Sequence, residues 1–188
     1  MPAKRLFIAV NISDEARRRA AAHIDKLRVS AKDVRVGWER PEKLHITLKF
    51  LGNVEDNLVA KVSDAAASVA AIFKPFRLAV VGTGLFPRIR QPRVLWLGIK
   101  NDDGSLRTLA VEIDMRLSQF GFVPEARPFS PHLTIARIRD PQKAKRLAES
   151  HLQSRFESVR FSVKELVVYE SQPNPTGSVY RVVSRHAL

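Results

Sequence analysis

A chain of 188 residues with 45% hydrophobic and 27% charged residues suits a soluble globular protein with a sizeable core, and the lack of cysteine excludes disulfides, thiolate catalysis and Cys-ligated zinc or iron–sulfur sites. No apolar run approaches the ~20 residues of a membrane span, and the first dozen residues lack the pattern of a secretory signal, so a cytoplasmic location is expected. A net charge of +13 points to a polyanionic partner such as nucleic acid, with the basic residues densest at Arg17-Arg18-Arg19, at 88–93 and at 143–146.

Residues 4–11 hold the run Leu6-Phe7-Ile8-Ala9-Val10 between polar flanks and predict a buried strand. Ser13 is a good N-cap, acids follow at Asp14 and Glu15, and Ala16, Ala20, Ile24 and Leu27 share one face of the helix it opens. His23, at the edge of that face, reads as structural or exposed. Residues 34–38 predict a short strand, and Pro41 bars a helix there. Residues 44–51 then alternate, with Leu44, Ile46, Leu48 and Phe50 on one face and His45, Thr47 and Lys49 on the other, and Gly52-Asn53 is the expected end of that strand.

Leu58, Val62, Ala65, Ala66, Val69 and Ile72 outline a second helix. Residues 76–81 and 93–100 predict strands joined by a segment rich in Gly, Pro and Arg. Within it, Gly82-Thr83-Gly84 lacks the third glycine and following helix of a dinucleotide fingerprint and reads as a turn or bulge. Leu106, Leu109, Ala110, Ile113 and Leu117 mark a third helix over 103–119, stopped by Gly121. Residues 129–138 predict a strand, Pro141 opens a fourth helix to about Leu152, and 156–170 and 178–184 predict strands joined through 171–177. His151 and His186 stand in no comparable context.

One pattern occurs twice. Arg40-Pro41-Glu42-Lys43-Leu44-His45-Ile46-Thr47-Leu48 and Arg127-Pro128-Phe129-Ser130-Pro131-His132-Leu133-Thr134-Ile135 share Arg-Pro, a three-residue gap, His, an aliphatic, Thr and an aliphatic, at one offset of 87 residues (45 to 132, 40 to 127). With the order strand, helix, motif strand, helix in the first half and a looser counterpart in the second, this predicts an α+β fold of two similar antiparallel lobes with helices outside, related by an approximate twofold. On a strand, residues i and i+2 lie on one face about 6.5 to 7 Å apart, so each motif aims an imidazole and a hydroxyl the same way. A metal site normally wants three or four ligands, often with carboxylates, and neither motif offers an acid on that face. A nucleophilic elbow is also missing. Two imidazoles, with an ordinary pKa near 6.5, suit a paired acid and base, and hydroxyls with a nearby guanidinium suit non-bridging phosphate oxygens: metal-free phosphodiester chemistry.

His45-Ile46-Thr47-Leu48 and His132-Leu133-Thr134-Ile135 resemble the paired HxTx signature of the two-histidine (2H) phosphoesterase superfamily. Within it, Arg5 to Val10, Leu44 to Gly52, Pro92 to Gly98 and Pro131 to Arg137 resemble the bacterial and archaeal RNA 2′,3′-cyclic phosphodiesterases, first described as 2′-5′ RNA ligases. The resemblance implies one bilobal unit over 1–188 with two pseudo-twofold-related sheets lining a central cleft, no cofactor, no metal, and hydrolysis of RNA 2′,3′-cyclic phosphate ends to 2′-phosphomonoesters. By position, His45 becomes the proton donor and His132 the proton acceptor, with Thr47, Thr134 and Arg137 on the phosphate. Phe7 and Trp38 are candidates to stack on the terminal base, although an aromatic in a strand is more often core. The expected partners are RNA ends or nucleoside 2′,3′-cyclic phosphates, with no membrane, no obligate protein partner and a monomeric state. Two alternatives stay open: reversible 2′-5′ ligation of tRNA-half-like ends, and a non-catalytic basic RNA-binding module.

Overall fold

Two antiparallel sheets share the strands, and each draws on both halves of the chain. In the computed structural model, which describes residues 3–175 and 177–188, the first sheet comprises β1 (Ala3–Asn11), β3 (His45–Glu55), β8 (Glu165–Gln172) and β9 (Val179–Ala187), in the order β3-β1-β8-β9. The second comprises β2 (Val36–Trp38), β4 (Phe76–Arg88), β5 (Gln91–Lys100), β6 (His132–Ile138) and β7 (Val159–Val163), in the order β2-β6-β5-β4-β7. Four strands of one sheet therefore match four of the other, β3-β1-β8-β9 against β6-β5-β4-β7, with the two motif strands β3 and β6 equivalent and in contact. That is the expected α+β pair of related sheets.

The helices are α1 (Asp14–Arg28), α2 (Asp56–Ala70), α3 (Ser105–Ser118) and α4 (Lys145–Gln153). Ser13 caps α1, its Oγ accepting from the Ala16 amide at 3.2 Å. Helix α1 leaves β1 yet packs with β7 and α4 of the second sheet, while α3 leaves β5 and packs with β3 and α2 of the first. The helices thus cross over, so the halves of the chain are not the lobes. Val10 and Ile8 of β1, Ile46 of β3, and Leu133 and Ile135 of β6 are fully buried, each such side chain contributing about 1.5 to 3 kcal/mol.

Four expectations need correction. First, β3 runs past Gly52 to Glu55, and its alternation reverses: Phe50 is 63% exposed and Lys49 only 8%. Register shifts against β1 are the cause. Thr47 pairs Ala9 but Lys49 pairs Ile8, so Leu48 is an extra residue and everything beyond it changes face; a second shift beyond Phe50 leaves Leu51 extra. Second, the segment after Val81 is not a connection but the continuation of a long hairpin, β4 into β5, with a bulge at Gly82 where φ is +56°. Third, residues 156–170 are two strands in different sheets, β7 and β8, separated by Lys164, whose carbonyl accepts from the Leu188 amide. Fourth, Pro141–Lys143 is a single 3-10 turn, and α4 begins only at Lys145. The connection between β8 and β9 includes Thr176, which lies outside the described residues.

Candidate active site

The motif strands enter the cleft in the same way. Each is preceded by a carbonyl that fixes its histidine: His45 Nδ1 lies 2.6 Å from the Lys43 oxygen and His132 Nδ1 lies 2.7 Å from the Ser130 oxygen. A carbonyl only accepts, so Nδ1 donates in both rings and Nε2 is left as the reactive atom. His45 Nε2 is 3.0 Å from Thr47 Oγ1, the i and i+2 pair that alternation predicts. His45, Thr47, His132, Thr134 and Arg137 all line one cleft of about 700 Å³.

Aromatic rings hold both imidazoles. Behind His45 sit Phe7 at 4.8 Å and Tyr180, edge-on, at 5.4 Å. Beside His132 sit Phe86, edge-on at 5.1 Å, and Trp96 at 6.3 Å. Trp96 lies flat across Gly84, where a methyl group would collide with the indole, and this explains the glycine at that position.

The environments of the two histidines differ. Burial pushes the His45 imidazole down to about 4, and the charges of Arg137, Arg17 and His132 add to that, opposed by its bond to the Lys43 carbonyl. His45 is therefore neutral at neutral pH. Strand β2 pairs alongside β6, and the Glu39 amide just beyond it donates to the Ile135 carbonyl at 2.9 Å. This sets the Glu39 carboxylate 3.7 Å from the Arg137 Nε. Burial raises the Glu39 carboxyl above its ordinary range, with Arg137 and Lys43 opposing, and burial together with Glu39 raises the Tyr180 phenol. The contact leaves the outer nitrogens of Arg137 for an anion.

Phe7, a stacking candidate from the sequence, is among the residues lining the cleft, where it lies against the His45 ring. It is 2% exposed and packs against His45, Phe50, Tyr169 and Tyr180, so it supports the imidazole from behind. Trp38 is not among the residues lining the cleft; it packs on the core, with the Arg28 guanidinium 5.8 Å from its ring. Besides Phe7, the aromatics that line the cleft are Phe50, Phe86, Phe129 and Tyr180. Phe50 escaped notice because a bulge, invisible to alternation, turns it outward. Arg5, Lys43 and Arg127 add positive charge to the lining, and Glu39 and Glu125 are its acids. Among the described residues no cluster of His, Asp and Glu has the arrangement of a metal site.

Two sheets meeting along equivalent strands, each presenting a histidine and a threonine to one cationic cleft, define a two-histidine phosphoesterase architecture. Residues 16–175 match the 2′-5′ RNA ligase superfamily, and the chain belongs to that family. It is 33% identical over 180 residues to the RNA 2′,3′-cyclic phosphodiesterase of Methanothermobacter thermautotrophicus, covering 94% of each chain. It is also 33% identical over 180 residues to that of Thermotoga maritima, covering 95% of this chain and 92% of the relative. The crystal structure of E. coli LigT complexed with 3′-AMP superposes with a TM-score of 0.77 at 25% identity, covering 99% of this chain and 98% of that one.

Proposed function

We propose that the protein is an RNA 2′,3′-cyclic phosphodiesterase that converts cyclic phosphate ends to 2′-phosphomonoesters. The observation that carries this reading is the pair of Nε2 atoms, each freed by a backbone carbonyl at Nδ1, in a single cationic cleft with both threonines and Arg137. The names of the relatives from M. thermautotrophicus and T. maritima, and the nucleotide held by LigT, support the same substrate class.

In this reading the cyclic phosphate sits between the imidazoles. Thr47, Thr134 and the outer nitrogens of Arg137 hold its non-bridging oxygens. His132 Nε2 takes a proton from water as the water oxygen bonds to phosphorus. The bond from phosphorus to O3′ breaks, and His45 Nε2 gives its proton to that oxygen, leaving a 3′-hydroxyl and a 2′-phosphomonoester. The anionic phosphate raises the proton affinity of His45, whose ring takes up a proton from solvent as the substrate binds. The lining supplies the acid and base from side chains, so turnover in EDTA is expected.

His45→Ala and His132→Ala should each lower kcat by about 10² to 10⁴-fold on cytidine 2′,3′-cyclic phosphate, with the fold retained by circular dichroism. Retained turnover in both variants overturns the assignment. Ligation of RNA halves through a 2′-5′ bond is the same displacement with a ribose 5′-hydroxyl in place of water, and product analysis on RNA with cyclic-phosphate and 5′-hydroxyl ends separates the two.

A further inference from the structure

The three basic clusters of the sequence have different fates. Arg18 and Arg19 bond Glu15 at 2.6 and 2.7 Å, Arg19 also meets Glu157 at 3.4 Å, and Arg17 reaches Asp14 and the Pro41 carbonyl. Lys143 pairs with Asp140 and Lys145 with Glu149, both at 3.9 Å. In contrast Arg88, Arg90 and Arg93 are exposed and, among the described residues, form no ion pair; the Arg88 guanidinium donates only to the Gln91 side chain at 3.2 Å.

Among the described residues, the backbone carrying these three pairs with no strand outside its own hairpin. Strand β4 pairs with β7 only over Phe76–Val80, and β5 pairs with β6 only over Val94–Gly98. Beyond those limits the hairpin pairs only with itself, Pro87 opposite Pro92 and Arg88 opposite Gln91, and turns at Ile89-Arg90. Such a bare basic edge is a poor core element and a good landing place for an extended polyanion. It is also continuous with the cleft. Phe86 and Val94 oppose each other at the base of the arm, both line the cleft, and Phe86 touches the His132 ring. At a strand rise of about 3.4 Å per residue, the turn lies roughly 10 to 13 Å beyond Phe86. Ile89, 40% exposed between two arginines, offers an apolar surface for a base. An aromatic at the mouth followed by a track of unpaired cations is how proteins hold single-stranded nucleic acid without reading its sequence.

We propose that the tip of the β4–β5 hairpin, through Arg88, Arg90 and Arg93, is a binding site for the phosphodiester backbone of single-stranded RNA leading into the cleft. It makes the protein prefer the end of a polynucleotide to a mononucleotide. This deepens the proposed function and rests on it.

The test compares the unaltered protein with R88Q/R90Q/R93Q on two substrates: cytidine 2′,3′-cyclic phosphate and a single-stranded oligoribonucleotide of about ten residues ending in the same group. The triple variant should keep its kcat/KM on the mononucleotide and lose about tenfold or more on the oligonucleotide at low salt, and the slope of log kcat/KM against log salt for the oligonucleotide should flatten by about 2. An equal effect on both substrates, or an unchanged slope, overturns the proposal. Should the unaltered protein turn over neither substrate, the catalytic reading fails. The hairpin is then judged by equilibrium binding of the 3′-phosphorylated oligonucleotide, where the same flattening supports the site and an unchanged slope refutes it.

Discussion

His45 is where burial and catalysis pull in opposite directions. Its imidazole, pushed down to about 4, carries almost no proton at neutral pH, yet the proposed reaction asks it to give one. A bound phosphate anion reverses the balance by favouring the charged ring. Because kcat/KM reports the free protein and kcat the complex, the alkaline limb of the kcat profile should lie at higher pH than that of kcat/KM. Coincident limbs, measured on cytidine 2′,3′-cyclic phosphate, would mean that the phosphate does not supply the proton affinity of this ring. The histidines and threonines were legible in the sequence because i and i+2 share a face on any strand, whatever it pairs with. Glu39 and Tyr180 were not, since their positions depend on β2 joining β6 and on β9 joining a sheet begun at the other end of the chain.

The two bulges in β3 set both the site and its support. Turning Lys49 inward would leave a bare ammonium in the interior, and Asp114 of α3 answers it; the same ammonium donates to the Val123 carbonyl at 2.8 Å, and Asp114 accepts from the Glu125 amide at 3.1 Å. The motif strand, a helix and the segment leading to Arg127-Pro128 are thereby tied together. Asp114→Ala should cost about 3 kcal/mol in urea unfolding by stranding a buried charge, and K49M/D114L should recover most of it. Loss in the double variant as large as in the single would show that packing, not charge, dominates. On β4, Gly84→Ala drives a methyl into the Trp96 indole opposite Thr134, and overpacking of about 1 to 3 kcal/mol should appear together with lower turnover, since the same indole backs His132. Helix and strand identities in this chain follow from their apolar periods. The break at Lys164 does not, because Val159, Phe161, Val163 and then Leu166 and Val168 are buried in either sheet and nothing in their spacing tells one sheet from another.

At the scale of the molecule, the net charge of +13 was readable at once, but which cations remain free for a partner depended on the fold: Glu15 and Glu157 come together only when α1 packs beside β7. The same packing buries two histidines that take no part in the cleft. His151 is fully buried, its Nε2 donating to the Gly84 and Trp96 carbonyls at 3.0 and 3.1 Å. Its Nδ1 must then accept, and His23 Nε2 donates to it at 3.2 Å. Burial pushes His23 down to about 4, assisted by the charges of His151 and Lys26, and burial also lowers His151. An unfolded chain binds these protons near pH 6.5, whereas in the folded chain His23 refuses its proton until the pH approaches 4 and burial lowers the proton affinity of His151 as well. Stability from this pair is thus complete above about pH 6.5 and declines as pH falls toward 4, by an amount on the order of 2 kcal/mol. Thermal unfolding followed from pH 7.5 to 4.5 should show Tm falling across that window. His23→Gln keeps a donor to His151 without a titrating ring, so its Tm should fall less steeply over the same range; parallel curves for the two proteins would assign the acid sensitivity to other groups.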